Sequence, residues 1–99
     1  LESALALDPS FAEAYALLAL IALAEGDDAL ARERGMRAID LALDEAAGWL
    51  ALSHAARARF DLRSALSSAE LAVQAEPRHA VAWARLAEAR LEARDYPGA

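Results

Sequence analysis

An all-α chain built from a repeating unit is the fold class that the sequence predicts, and three observations predict it. The 99 residues are 58% hydrophobic, mostly Ala and Leu, with four Gly, three Pro and few β-branched side chains. That composition favours helix over strand. Residues of one kind also recur every 34 positions: Ala12, Ala46 and Ala80; Leu18, Leu52 and Leu86; Asp27, Asp61 and Asp95; Ala31, Ala65 and Ala99; and the aromatics Tyr15, Trp49 and Trp83. Finally, residues 14–24, AYALLALIALA, are eleven apolar positions in a row closed by Glu13 and Glu25. A membrane span needs about 20, so direct membrane insertion is not expected. A helix apolar on every side must instead be covered by neighbours from several directions.

Taken in order, residues 1–9, LESALALDP, read as the end of a preceding second helix closed by Asp8-Pro9. Residues 10–45 form the first full unit. Ser10 precedes its first helix, Asp27 or Asp28 caps its second, and Ala31 and Ala38 are small positions for close helix packing. Residues 46–79 form the second unit, with Asp44 before its first helix, Asp61 before its second, and Ala65, Ala69 and Ala72 as its small positions. Residues 80–99 carry the first helix and turn of a third, truncated unit. Aspartate in such turns accepts backbone N–H groups at a helix start, so the Asp column is structural by default. Helical spacing puts Tyr15, Leu18 and Ala22 on one face toward the core, and likewise Trp49 with Leu52 and Ala56, and Trp83 with Leu86.

Each unit runs through an aromatic, Leu three residues later, a small residue, an Asp-containing turn and an Ala-rich second segment. The units are AEAYALLALIALAEGDDALARERGMRAIDLALDE, AAGWLALSHAARARFDLRSALSSAELAVQAEPRH and AVAWARLAEARLEARDYPGA. This pattern resembles the tetratricopeptide repeat over nearly the whole chain. The departures are Leu43 where the family usually has Pro, Phe60 where a turn Gly is common, and Gly35 at a site often held by an aromatic. A helix-interior Gly costs roughly 1 kcal/mol relative to Ala, so Gly35 marks either a close helix approach or a locally loose turn.

The resemblance implies a right-handed superhelix of stacked helix–turn–helix hairpins whose concave surface is lined by first helices. The side opposite the core Leu then carries Ala16, Leu20 and Leu23, flanked by Glu13 and Leu17; next Leu50, His54 and Arg57; and last Ala84, Glu88 and Leu91, flanked by Arg85. Such a groove suits an amphipathic helix or extended apolar peptide, with binding energy from Leu17, Leu20, Leu23 and Leu50. Specificity falls to Glu13, His54, Arg57, Arg85 and Glu88. The rival expectation is that a neighbouring segment of the same polypeptide covers these leucines. Some family members clamp a partner's C-terminal carboxylate, but Ala16, Leu20, Ala51 and Val81 occupy most of the clamp sites and only Arg85 has the right character.

Other function classes find little support. A net charge of -6 disfavours a phosphate-backbone binder, so nucleic acid is not an expected partner. Ser53 and His54 are adjacent and point about 100° apart around a helix, so no nucleophile–base pair follows and no enzyme activity or cofactor is expected. Cysteine is absent and the only other imidazole, His79, lies in a turn, so no metal site is expected. All ten basic residues are Arg, which together with abundant Ala suggests a GC-rich bacterial genome, with cytoplasm or periplasm left open. The chain reads as a fragment of a larger protein with uncapped ends, the apolar face of Trp83, Leu86 and Ala89 lacking its usual partner, which makes self-association possible. Against the expectation of a protein-interaction scaffold stand two others: a structural module that stacks through its open ends, and a regulatory or targeting arm of a larger enzyme.

Overall fold

Left-handed turn residues and aspartate caps cut this chain into its helices. The computed structural model describes residues 11–98. They form α1 (Ala12–Ala24), α2 (Asp28–Leu41), α3 (Ala46–Ala58), α4 (Leu62–Ala75) and α5 (Ala80–Asp95), with no strand among the described residues. Ser10 and the segment 1–9 lie outside them.

The turn after α1 is repeated after α3. Gly26 at φ 82 ends α1, its N–H reaching the Leu23 carbonyl at 3.0 Å while the Asp27 N–H reaches the Ala22 carbonyl at 2.9 Å. Phe60 at φ 58 ends α3 with the same bonds to Arg57 and Ala56, both at 2.9 Å. This double closure satisfies carbonyls that the helix end would otherwise leave unpaired. Asp27 Oδ1 then accepts the Leu30 N–H at 3.0 Å, and Asp61 Oδ1 accepts the Ser64 N–H at 3.2 Å. Of the two aspartates before the second helix, Asp27 is the cap and Asp28 is the first helical residue.

First helices begin differently from the sequence expectation. Asp44 does not cap α3: the residue before the helix is Glu45, which makes no side-chain cap bond. The Ala46 N–H instead donates to Glu76 Oε1 at 2.7 Å, a carboxylate from the far end of α4. At α5 the cap is His79, whose Nδ1 accepts the Ala82 N–H at 3.2 Å.

Each helix packs against the next in sequence, and α1 also lies along α3. Alanines make this closeness possible. Tyr15, Ala16, Ala19, Ala38 and Ala51 form one buried cluster, and Ala22, Ala31 and Ala55 another. A third joins Ala46, Leu50, Ala69, Ala72, Val73, Ala82, Leu86 and Ala89. Gly35 resolves as a close approach, because a Cβ there would stand 2.8 Å from Leu52 Cδ2.

The aromatic column does not stay in the core. Tyr15 is buried, Trp49 is half-buried and Trp83 is 48% exposed. Both indoles instead donate backward to a carbonyl six residues earlier, Trp49 to Leu43 at 3.2 Å and Trp83 to Pro77 at 2.6 Å. Leu86 and Ala89, expected to lack a partner, are buried in the cluster that includes Val73 of α4. Helix α5 runs 16 residues, against 13 for α1 and α3, because Arg94, which holds the register place of Gly26 and Phe60, stays helical.

Candidate functional site

Four helical columns from two successive first helices meet around one open depression of about 320 Å³. Helix α1 supplies Glu13, Ala16, Leu17 and Leu20; α3 supplies the residues 34 places later, Ala47, Leu50, Ala51 and His54. Spacings of three, four and seven residues fall on one face of a helix, so both contributions are single stripes. His79 and Val81 at the start of α5 complete the lining.

The floor and rim have different characters. Ala16, Leu50 and Ala51 are buried and belong to the core clusters, so they close the bottom. Leu17 and Leu20 are exposed and stand at the α1 rim. Opposite them, His54 is half-buried. Burial and then the nearby Arg85 push its pKa below the ordinary imidazole value, against the opposing pull of Glu88 and Glu92. The imidazole is therefore neutral near pH 7 and offers one donor and one acceptor. Toward Glu13 the surface is acidic: burial, Glu13, Asp44 and Glu76 together raise the pKa of Glu45.

Six residues read from the sequence as groove positions, Glu13, Ala16, Leu17, Leu20, Leu50 and His54, are thus brought together. Leu23, Arg57, Arg85 and Glu88 do not line this depression. Leu23 packs with Leu30 against the cluster of Ala22, Ala31 and Ala55. Arg85, expected at the groove's flank, is only 2% exposed. Its Nε donates to Ser53 Oγ at 3.1 Å and its Nη2 to Glu92 Oε1 at 2.7 Å, while Glu88 stands at 3.8 Å from Nη1. The Ser53 hydroxyl in turn donates a hydrogen bond to the Ala65 carbonyl at 2.8 Å. Arg57, exposed as expected, donates its Nε to the second oxygen of Glu92. Burial opposes ionisation of Glu92, but the hydrogen bonds from Arg57 and Arg85 outweigh it and hold the carboxyl below its usual pKa.

Ala47 and His79 were not read from the sequence as lining residues. The signal was available for Ala47, which stands 34 places after Glu13 in the same column. His79 is drawn in by its place just before Ala80 at the start of α5, where its register equivalents Phe11 and Glu45 differ in kind and so give no residue-type signal. Among the described residues no group of three His, Cys, Asp or Glu side chains could hold a metal ion, and no described helix is long and apolar enough to cross a membrane.

Compared with known proteins, the chain matches no family model and no curated relative.

Proposed function

We propose that the helices are tetratricopeptide-like units of a right-handed superhelix, and that this protein is a non-catalytic interaction scaffold whose depression between α1 and α3 holds an apolar segment of a partner protein. The observation that carries the reading is the convergence of Leu17 and Leu20, exposed on one rim, with His54 on the other, above a floor of Ala16, Leu50 and Ala51. Apolar side chains left in water gain about 25 cal/mol per Å² when covered, so two neighbouring leucines over an apolar floor favour a hydrophobic guest. Neutral His54 and the acidic Glu13 end orient that guest: His54 exchanges one hydrogen bond, and Glu13 favours a basic group. Arg57 and Arg85 act elsewhere, since both are bonded to Glu92.

Selection of a displayed random-peptide library on the immobilised protein tests this. Enriched peptides should carry paired apolar residues at helical or extended spacing, should lose binding to Leu20→Asp, and should keep it to Met36→Asp, an exposed site on α2. A library that yields no binders, or binders equally indifferent to both changes, would refute the groove.

A further inference from the structure

Helix α1 leaves in water the side chains whose register equivalents on α3 are buried. Leu17 and Ile21 on α1 are 59% and 47% exposed, whereas Ala51 and Ala55, which hold the same columns on α3, are 2% and 0% exposed. Those two alanines are covered by α1: Ala51 shares a cluster with Ala16, and Ala55 shares one with Leu23 on its edge. The columns of Ala16 and Leu23 recur on α5 as Ala84 and Leu91, and there both are exposed, Leu91 at 57%. One end of the described chain therefore presents the knobs, and the other presents the surface that takes them.

We propose that a second copy of this chain docks its α5 on α1, placing Ala84 over Leu17 and Leu91 over Ile21, so that the packing of α1 on α3 is repeated between molecules. The occupant follows from continuity with that internal interface. The column of Leu17 holds Ala51 on α3 and Arg85 on α5, and α5 meets α3 less closely than α1 does. This column thus accepts both small and large side chains by adjusting helix separation, which admits Leu17 against Ala84. The contact is head-to-tail and does not close on itself, so further copies add in the same sense. Its few side chains place it among small, weak interfaces, and each copy carries a charge of -6, so association grows with protein concentration and with salt.

The test is sedimentation equilibrium from micromolar to millimolar protein, with helicity checked by circular dichroism. The native chain should rise above monomer mass, more so at high salt. Ile21→Glu, which keeps only the α5 face, and Leu91→Glu, which keeps only the α1 face, should each stay monomeric, while their equimolar mixture should form a one-to-one dimer that does not extend. A native chain monomeric throughout, variants that still associate, or a mixture that stays monomeric would each overturn the proposal. The chain has no cysteine, so a mixture of Leu17→Cys and Ala84→Cys chains should oxidise to a heterodimer faster than either chain oxidises alone, and equal rates would likewise refute the register. Leu17 borders both surfaces, but Ile21 and Leu91 line no part of the depression, so peptide capture there should survive in Ile21→Glu and Leu91→Glu even where association between copies is lost.

Discussion

Phe60 stands at φ 58 in the register place that Gly26 holds at φ 82, and its ring meets Tyr96 edge-to-face with centroids 5.1 Å apart. A bulky residue in left-handed backbone costs roughly 1–2 kcal/mol, while an aromatic pair returns about 0.5–1.5 kcal/mol beyond area burial. The turn is therefore strained, and the contact with Tyr96 offsets much of that strain. Phe60→Asn should leave stability within about 1 kcal/mol of native, since Asn tolerates the left-handed region but loses the ring. In a Tyr96→Ala background the same change should stabilise by about 1 kcal/mol. Urea midpoints of the four proteins measure both effects, and a Phe60→Asn change that destabilises the Tyr96→Ala protein would contradict the strain account.

Two helical glycines make opposite demands on their neighbours. A Cβ at Gly48 would lie 2.8 Å from Ile39 Cγ1 and 3.0 Å from the Ile39 backbone nitrogen, so the facing helix itself must move. At Gly35 the two nearest atoms are the Cδ2 and Cγ of Leu52, a half-buried side chain that can turn aside. Overpacking a close contact costs about 1–3 kcal/mol, and Ala gains about 1 kcal/mol over Gly in helix propensity. Gly48→Ala should destabilise by about 2 kcal/mol, and Gly35→Ala by less than about 1 kcal/mol. Thermal melts that rank them the other way would show that α2 and α3 do not meet as described.

Column counting finds the floor and rim of the depression because those positions repeat in the covalent sequence and helix geometry turns a repeat into a face. It fails where burial depends on what lies across a seam. Arg85 occupies the column of Leu17 and Ala51, and an Arg on a helix face reads as solvated. The hydrogen bonds to Ser53 and Glu92, 32 and seven residues away, make its burial tolerable. Trp83 fails for the converse reason: its column promises core, but the side chain stands exposed and its indole is held by Pro77. The start of α3 is equally hidden, since its hydrogen-bond acceptor, Glu76, lies 30 residues downstream of Ala46.

Acid should weaken the fold through His54. Its folded pKa is depressed by burial and by Arg85, with Arg57 adding to this and Glu88 and Glu92 opposing. The unfolded chain therefore takes up the proton first, and stability falls as pH drops below about 6.5, the ordinary imidazole value. Above that value the imidazole is neutral in both states and contributes no slope. His54→Gln should flatten the dependence between about pH 7 and 5. Denaturant titrations across this range decide it, and an unchanged slope in His54→Gln would assign the effect to another group.

The chain of bonds from the Ala65 carbonyl through Ser53, Arg85 and Glu92 to Arg57 ties α4, α3 and α5 together. An apolar seam needs no such bonds, so the consequence of breaking the chain depends on which member is removed. Removing Glu92 leaves Arg85 buried, with Glu88 at 3.8 Å as its remaining carboxylate. Uncompensated buried charge is costly, whereas replacing the whole ionic set by apolar groups is often neutral. Glu92→Ala should therefore destabilise by about 2–3 kcal/mol. Arg85→Met, which keeps the packing of the stem and leaves Glu92 half-exposed beside Arg57, should cost less than about 1.5 kcal/mol. The double variant should then be more stable than Glu92→Ala alone, because the charge that lacked a partner is gone. A strictly additive pair of losses in urea denaturation would mean that Arg85 and Glu92 do not depend on one another, and that α5 is held to α3 by the alanines around them instead.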